Sequence, residues 1–435
     1  MDTKNRVLNE IDSRRDEIVE FLQALIRVPS VVVSGNEKEC QSIVSEKLRE
    51  MGVKVDVWEH DWDELKKHPA YVPVDTWMPG YKGLKDRPNV VGVFEGKESE
   101  KTLVLNGHID VVTPGPINRW KYGPFDAVQS GSRIYGRGAA DMKGGVTAMV
   151  MALDCILKTG IEPSGKVILE SVVDEETGGN GTLACLLRGY TGDAGIFTEP
   201  TATEIHLAQL GAQFFRITIP GRMSHLAFRT EGVNAIEKGF KIFKSVRDWE
   251  QSRKRLASTH PLYRRYIGEG YPFPPCEIGI IKGGDFSPNP AEECILEGGF
   301  QTMPSESIPL VRRQFKNYVQ KRFSKDKWLR AHPPKIDFIG LWYEGAEIAR
   351  TSAIARVLVQ SFREATGRGP VISAFPTGCD MRLNTNHGGT PSLVFGPGDI
   401  RQAHFTNEYI EIKQVVEATK VISLLILNWF AIKET

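Results

Sequence analysis

The chain has 435 residues, with 55 Lys plus Arg against 54 Asp plus Glu and 41% hydrophobic residues. That length exceeds one ordinary hydrophobic core, so two domains are expected. A net charge of +1 leaves no basic surplus for nucleic acid and no acidic block for a disordered tail.

The first stretch, MDTKNRVLNEIDSRRDEIVEF, is charged throughout and lacks the apolar run of a signal peptide. Val7, Ile11, Ile18, Phe21, Leu22 and Leu25 recur at helical spacing, which predicts a helix over 5–27 that Pro29 ends. A second helix is expected from about Glu37 to Met51, then the strand VKVDVW. Residues 60–88 read as a long irregular segment, with Pro69, Pro73, Pro79 and Pro88 among Trp62, Tyr71, Trp77 and Tyr81.

Strands and helices then alternate. NVVGVF and TLVLNGH are strands, Val146 to Leu157 line one helix face, KVILESVVDEETGG is a strand ending in acids, and AGIFTEP is another strand. This is the order of an α/β domain with a mostly parallel sheet, whose ligands gather at the carboxyl ends of strands. Near residue 205 the order changes to strand, helix, two strands, helix, strand, which predicts an inserted α+β sandwich over 207–341. The first domain is then discontinuous, 1–206 and 342–435. The apolar run VISLLILNWFAI is too short to span a bilayer and reads as the buried face of a last helix over about 414–430. Six scattered cysteines without a C-x-x-C pair fit reduced thiols in a cytoplasm.

Polar residues stand where first-domain strands end: His108 and Asp110 in NGHID, Asp141 in GRGAADMKGG, Glu175 and Glu176 in VVDEETGG, Glu199 in IFTEP, and His404 in RQAHFTNEYI. Singly, each reads as a cap or a solvated turn. Together they are a donor set for a divalent metal; imidazole and carboxylate without thiolate suit zinc, cobalt or manganese. Asp110, two residues beyond His108 on extended backbone, is placed for its carboxylate to orient the imidazole. Of the adjacent acids in DEE, one serves as ligand and its neighbour as general base. Asn106-Gly107 reads as the point where the chain turns at the strand end.

These five motifs, in this order along essentially the whole chain, resemble the M20 metallopeptidase family. The resemblance implies a zinc-exopeptidase-like catalytic domain interrupted by a smaller lid that also mediates homodimerisation. It implies two zinc ions per subunit: Asp141 bridging, His108 and Glu199 on one, Glu176 and His404 on the other. Glu175 matches the general acid/base and Asp110 the residue orienting His108. The Asp141–Met142 bond matches the family's cis peptide. In the lid, GRMSHLAF matches the segment whose His, here His225, stabilises the oxyanion in the partner subunit's site. Gly378 and Arg382 in PTGCDMRL, with Asn289, match substrate contacts. Gln301 stands where the family commonly carries an Arg that holds a substrate acid group.

The expected activity is hydrolysis of an amide bond in a small N-acylated amine or amino acid, of deacylase or deacetylase type. The alternatives are a dipeptidase or carboxypeptidase, or a deformylase-type hydrolase of an amide that is not an amino acid. A non-catalytic binding protein is disfavoured by the complete ligand set with Glu175. A phosphoryl hydrolase is disfavoured by the lack of glycine loops or cation clusters beside the acids. Neither nucleic acid nor a membrane is an expected partner.

Overall fold

A computed structural model describes residues 2–32, 36–78, 80–81, 83 and 85–431; Pro79 lies outside them. The chain forms two units. One takes the chain up to Gln209, Ala346–Phe375 and everything from Cys379; the other takes Leu210–Gly345 and Pro376–Gly378. The division falls a few residues beyond 207 and 341 because Ala208–Gln209 pairs with Ala346–Glu347 in a short ribbon at the root of the insertion.

The first unit is built on an eight-stranded sheet. In chain order its strands are β1 (Lys54–Trp58), β2 (Asn89–Phe94), β3 (Thr102–His108), β4 (Lys166–Val172), β5 (Ala194–Phe197), β6 (Ile205–His206), β7 (Ile372–Ser373) and β8 (Ser392–Val394). They lie in the order β1-β2-β4-β3-β5-β8-β6-β7. β3 runs parallel to β4 and β5, with His108 opposite Val172 and Asn106 opposite Phe197. The strand β3 is buried from Leu103 onward, as expected of a parallel strand covered on both faces. Helix Gly144–Lys158, also buried nearly throughout, packs on it. A Cβ on Gly145 would come within 1.9 Å of the Thr198 carbonyl oxygen, so only glycine allows this helix to start so close to the end of β5.

Three local expectations are corrected. The helix over 5–27 is two helices, Thr3–Ser13 and Arg15–Arg27. Arg14 breaks them, leaving helical geometry while its guanidinium pairs with Glu17 and the buried Asp154. Asn106-Gly107 does not turn the chain: both residues lie inside β3. Asn106 instead donates its amide to Glu170 and Thr182, at 2.8 and 3.2 Å. The last helix, Ile412–Ala431, is longer than expected and passes as a membrane span by length and composition. Its most apolar window is nevertheless 72% buried inside the chain, against helices Gly144–Lys158 and Ala353–Thr366.

The second unit is a four-stranded antiparallel sheet in the spatial order Cys276–Gly283, Glu293–Thr302, Gly211–Pro220, Lys335–Tyr343. Helices Ala235–Thr259 and Ile308–Phe323 pack against it. Phe215, Ile217, Ile219 and Phe300 of the sheet meet Ile242, Val246, Trp249 and Phe315 of the helices in one core. Strand alternation at period 2 and helix spacing at 3.6 put these residues on facing sides.

Candidate metal centre and active site

Because β4, β3 and β5 are parallel neighbours, the chain leaves all three at the same edge. His108 is the last residue of β3, Asp174–Glu176 follow β4, and Glu199 follows β5. His108 is 1% exposed, and its Nε2 faces Asp141 Oδ1 at 3.2 Å and Glu175 Oε2 at 3.8 Å. Donor atoms of His108, Glu175 and Glu199 lie within 4.8 Å of one another, as do those of His108, Asp141 and Glu176.

Asp141 sits in a five-residue turn, Ala139–Lys143, that leads into helix Gly144–Lys158, and its own backbone is not helical. The Asp141–Met142 peptide is cis. The two carboxylate oxygens of Asp141 face different imidazoles: Oδ1 faces His108, and Oδ2 lies 3.4 Å from His404 Nε2. His404 also lies 3.0 Å from Glu176 Oε2. One carboxylate between two histidines is the arrangement a bridging ligand requires.

The support differs from expectation at His108. Its Nδ1 lies 2.9 Å from the Asp110 backbone carbonyl, while the nearer Asp110 carboxylate oxygen is 3.6 Å away. The carboxylate accepts the backbone N–H groups of Glu175 and Glu176 instead. The strand ends at His108, so the backbone turns the Asp110 side chain toward the loop after β4 and leaves its carbonyl for the ring.

Burial, and then repulsion from the Glu199 carboxylate, push the Glu175 carboxyl well above its ordinary value. Burial likewise raises Glu199. Against the Glu176 carboxylate, the His404 imidazole is pushed up to about 11. Buried acids in excess, with imidazole nitrogens and carboxylate oxygens aimed at each other, need positive charge among them. Divalent metal ions fit that demand and that donor chemistry.

Three charged residues of the site escaped the sequence reading. Glu408 accepts the backbone N–H groups of Ala140 and Asp141 at 2.9 and 3.2 Å, and is paired with Arg137. Arg137 also donates to the His404 carbonyl at 3.2 Å. Thus one buried ion pair fixes both Asp141 and His404. Asp380 is buried too, its negative charge felt by Glu175 and Glu199. Glu408 and Asp380 stand in motifs already picked out for His404 and Arg382, which was the one available signal.

The expected substrate contacts Arg382, Gly378 and Asn289, and the oxyanion residue His225, are placed as follows. Arg382 is 2% exposed and donates to the Gly178 carbonyl at 2.8 Å. A guanidinium held there supports the loop carrying Glu175 and Glu176. The other three belong to the second unit. His225 is exposed, its Nδ1 accepting the Ala227 N–H at 3.2 Å ahead of the turn Leu226–Glu231. Asn289 sits in a turn closed onto Phe286. Gly378 lies close to the Tyr343 ring, where a Cβ would come within 2.0 Å of Cε2. Gln301 donates to Thr377 Oγ1 at 3.1 Å.

The model of peptidase family M20/M25/M40 matches residues 104–428. An N-formyl-4-amino-5-aminomethyl-2-methylpyrimidine deformylase from Bacillus subtilis (strain 168) is 28% identical over 447 residues, covering 98% of this chain and 97% of the relative. A probable succinyl-diaminopimelate desuccinylase from Staphylococcus aureus (strain N315) is 25% identical, covering 75% of this chain and 82% of the relative. A di-peptidase from Saccharomyces cerevisiae shares the fold, with a TM-score of 0.76 at 16% identity over the whole of both chains. The family match spans most of the chain, including the strand ends that bring the acids and histidines together. The chain belongs to peptidase family M20/M25/M40 and is a metallohydrolase of that dinuclear family.

Proposed function

We propose that the chain hydrolyses the amide bond of a small N-acylated amine, with an N-formylated aminomethylpyrimidine as the favoured substrate. One observation carries the hydrolysis: Asp141 lies between His108 and His404, with Glu175 beside His108 at the same sheet edge. Two features favour the formyl substrate. The deformylase of Bacillus subtilis aligns over nearly the full length of both chains. Gln301 replaces the Arg that would otherwise hold a substrate acid group. The second reading, an N-acyl amino acid, is favoured by the desuccinylase relative.

Asp141 would bridge two zinc ions, with His108 and Glu199 completing one ligand set and Glu176 and His404 the other. Bound there, such ions supply Lewis acidity and bring the pKa of water toward neutrality. Glu175 takes a proton from the attacking water as its oxygen bonds to the amide carbon. It gives that proton to the nitrogen as the C–N bond breaks, so acid and amine leave. The upward push on its carboxyl suits a group that must hold a proton between these steps. Asp110 keeps Glu175 and Glu176 in place through their N–H groups. Arg382 is assigned to the Gly178 loop. His225 is proposed, on the family pattern, to stabilise the oxyanion in a second copy of the chain, and Asn289 and Gly378 to meet substrate.

A homodimer through the second unit is part of this reading. Strand Cys276–Gly283 is a sheet edge with Ile280 and Ile281 exposed, and Phe240 stands out from helix Ala235–Thr259 at 64% exposure. Unpaired edges with apolar neighbours invite pairing with another chain.

The test is a panel of N-formyl, N-acetyl and N-succinyl amines, including the N-formyl aminomethylpyrimidine, with the zinc-loaded protein and free amine as readout. The highest kcat/KM is expected for the N-formyl aminomethylpyrimidine. Faster turnover of N-succinyl or N-acetyl amino acids would move the assignment to the second reading, and no amine from any member would overturn both.

A further inference from the structure

Glu175 and Glu176 are adjacent in a loop, yet each must point to a different task. The residue before them is Asp174, at φ +69 in the left-handed region that Asp tolerates better than most side chains. Its buried carboxylate takes four donors. Thr177 Oγ1 at 2.6 Å and Asn180 Nδ2 at 3.1 Å come from the loop and the helix after it. The Tyr81 hydroxyl at 2.8 Å and Arg87 Nη1 at 3.2 Å come from the segment 60–88.

Those last two donors are themselves fixed. Arg87 is buried, donates through Nε to the buried Glu37 at 2.8 Å, and lies over the Tyr81 ring at 5.3 Å. A planar guanidinium held this way has little freedom left. Farther along the loop, Asn180 accepts from the Val72 N–H at 3.2 Å and donates to its carbonyl at 3.0 Å. The segment therefore grips the loop both before and after the acids. Asp110 takes the N–H groups of the acids themselves.

We infer that Tyr81 and Arg87 are positioning residues for Glu175 and Glu176, and that together with Val72 they brace the acid loop. The inference rests on the reading of Glu175 as proton carrier. Displacements of the order of an ångström at such groups cost rate steeply. The brace is built from contacts that no short motif encodes, since Tyr81 and Asp174 are 93 residues apart.

The experiment compares Tyr81→Phe, Arg87→Lys and Arg87→Met with wild type, using Thr76→Ala, an exposed position in the same segment, as control. The zinc-loaded proteins are assayed on the best substrate of the panel. Zinc affinity is read by chelator competition, and hydrogen exchange by mass spectrometry on peptides across 172–181. Tyr81→Phe keeps shape and loses one donor. It is expected to lower kcat about ten-fold with KM held, weaken zinc binding and speed exchange in 172–181, with the melting temperature unchanged. Arg87→Lys should retain more activity than Arg87→Met. Wild-type kcat and exchange in Tyr81→Phe, or losses in every variant that merely track melting temperature, would overturn the inference. Glu175→Gln separates the two claims: if it is fully active, the base assignment fails; if it is inactive while Tyr81→Phe matches wild type, the brace alone fails.

Discussion

Asp110 Oδ2 accepts the backbone N–H of Glu176 at 3.2 Å, while the Asp110 carbonyl lies 2.9 Å from His108 Nδ1. One residue thus holds a histidine from its main chain and an acidic pair from its side chain. Asp110→Asn removes the negative charge and one of the two accepting oxygens but leaves the main-chain contact. It is expected to lower kcat about 10–100-fold and to weaken zinc binding, as loss of an outer support of a metal site does. Asp110→Ala should be worse in both. Steady-state kinetics with metal analysis checks this; an Asn variant equal to wild type would show that the carboxylate is idle.

Glu175 lies 3.8 Å from His108 but makes its strongest claim through environment, a partly buried carboxyl pushed upward by desolvation and by Glu199. Glu175→Gln keeps the volume and removes the exchangeable proton. Turnover should fall by a factor of about 10² to 10⁴, with the zinc content of the wild type. Loss of zinc together with activity would instead make Glu175 a ligand.

Three corners of this site were legible because each lies in a short motif at the end of an apolar strand. His108, Glu176 and Glu199 follow three strands whose parallel pairing the alternation of elements foretold. Their supports were not legible in the same way. Glu408 reaches the Asp141 turn across 267 residues, and nothing local marks which acid of a motif will do so. Whether the carbonyl or the carboxylate of Asp110 meets the His108 ring depends on one backbone rotation past a strand end, which residue type leaves open. Arg382 was read through the family resemblance as a substrate contact; that its guanidinium donates to the Gly178 carbonyl follows from tertiary packing.

Metal removal offers a test independent of turnover. Burial raises Glu175 and Glu199, and Glu176 beside them, so a bound dication relieves repulsion among these acids in the folded chain. Zinc bound to the folded chain stabilises it by about 2.7 kcal/mol at a free concentration 100 times its Kd. The melting temperature of chelated protein should rise with added zinc and level off only slowly. His404→Ala should reduce the rise. A melting temperature indifferent to zinc would contradict the proposed ligand set.

Glu170 supplies a pH signature away from the ligands. It lies in β4 beside Asn106 of β3, whose amide donates to Oε2 at 2.8 Å, and Oε1 has no hydrogen-bond partner among the described residues. Burial pushes its carboxyl from 4.5 up to about 8. Between those values the folded chain keeps the proton and the unfolded chain releases it, so folding takes up a proton. Stability from this group therefore falls as pH rises from about 4.5 to about 8, by at most about 1.4 kcal/mol per pH unit, and stops falling above that. Glu170→Gln keeps the shape and cannot ionise. Its stability relative to wild type should climb from pH 5.5 to pH 8 in urea unfolding, because the other titrating groups are common to both chains. A difference that stays flat across that range would mean that Glu170 is ionised in the fold, with a counter-charge that its surroundings do not supply.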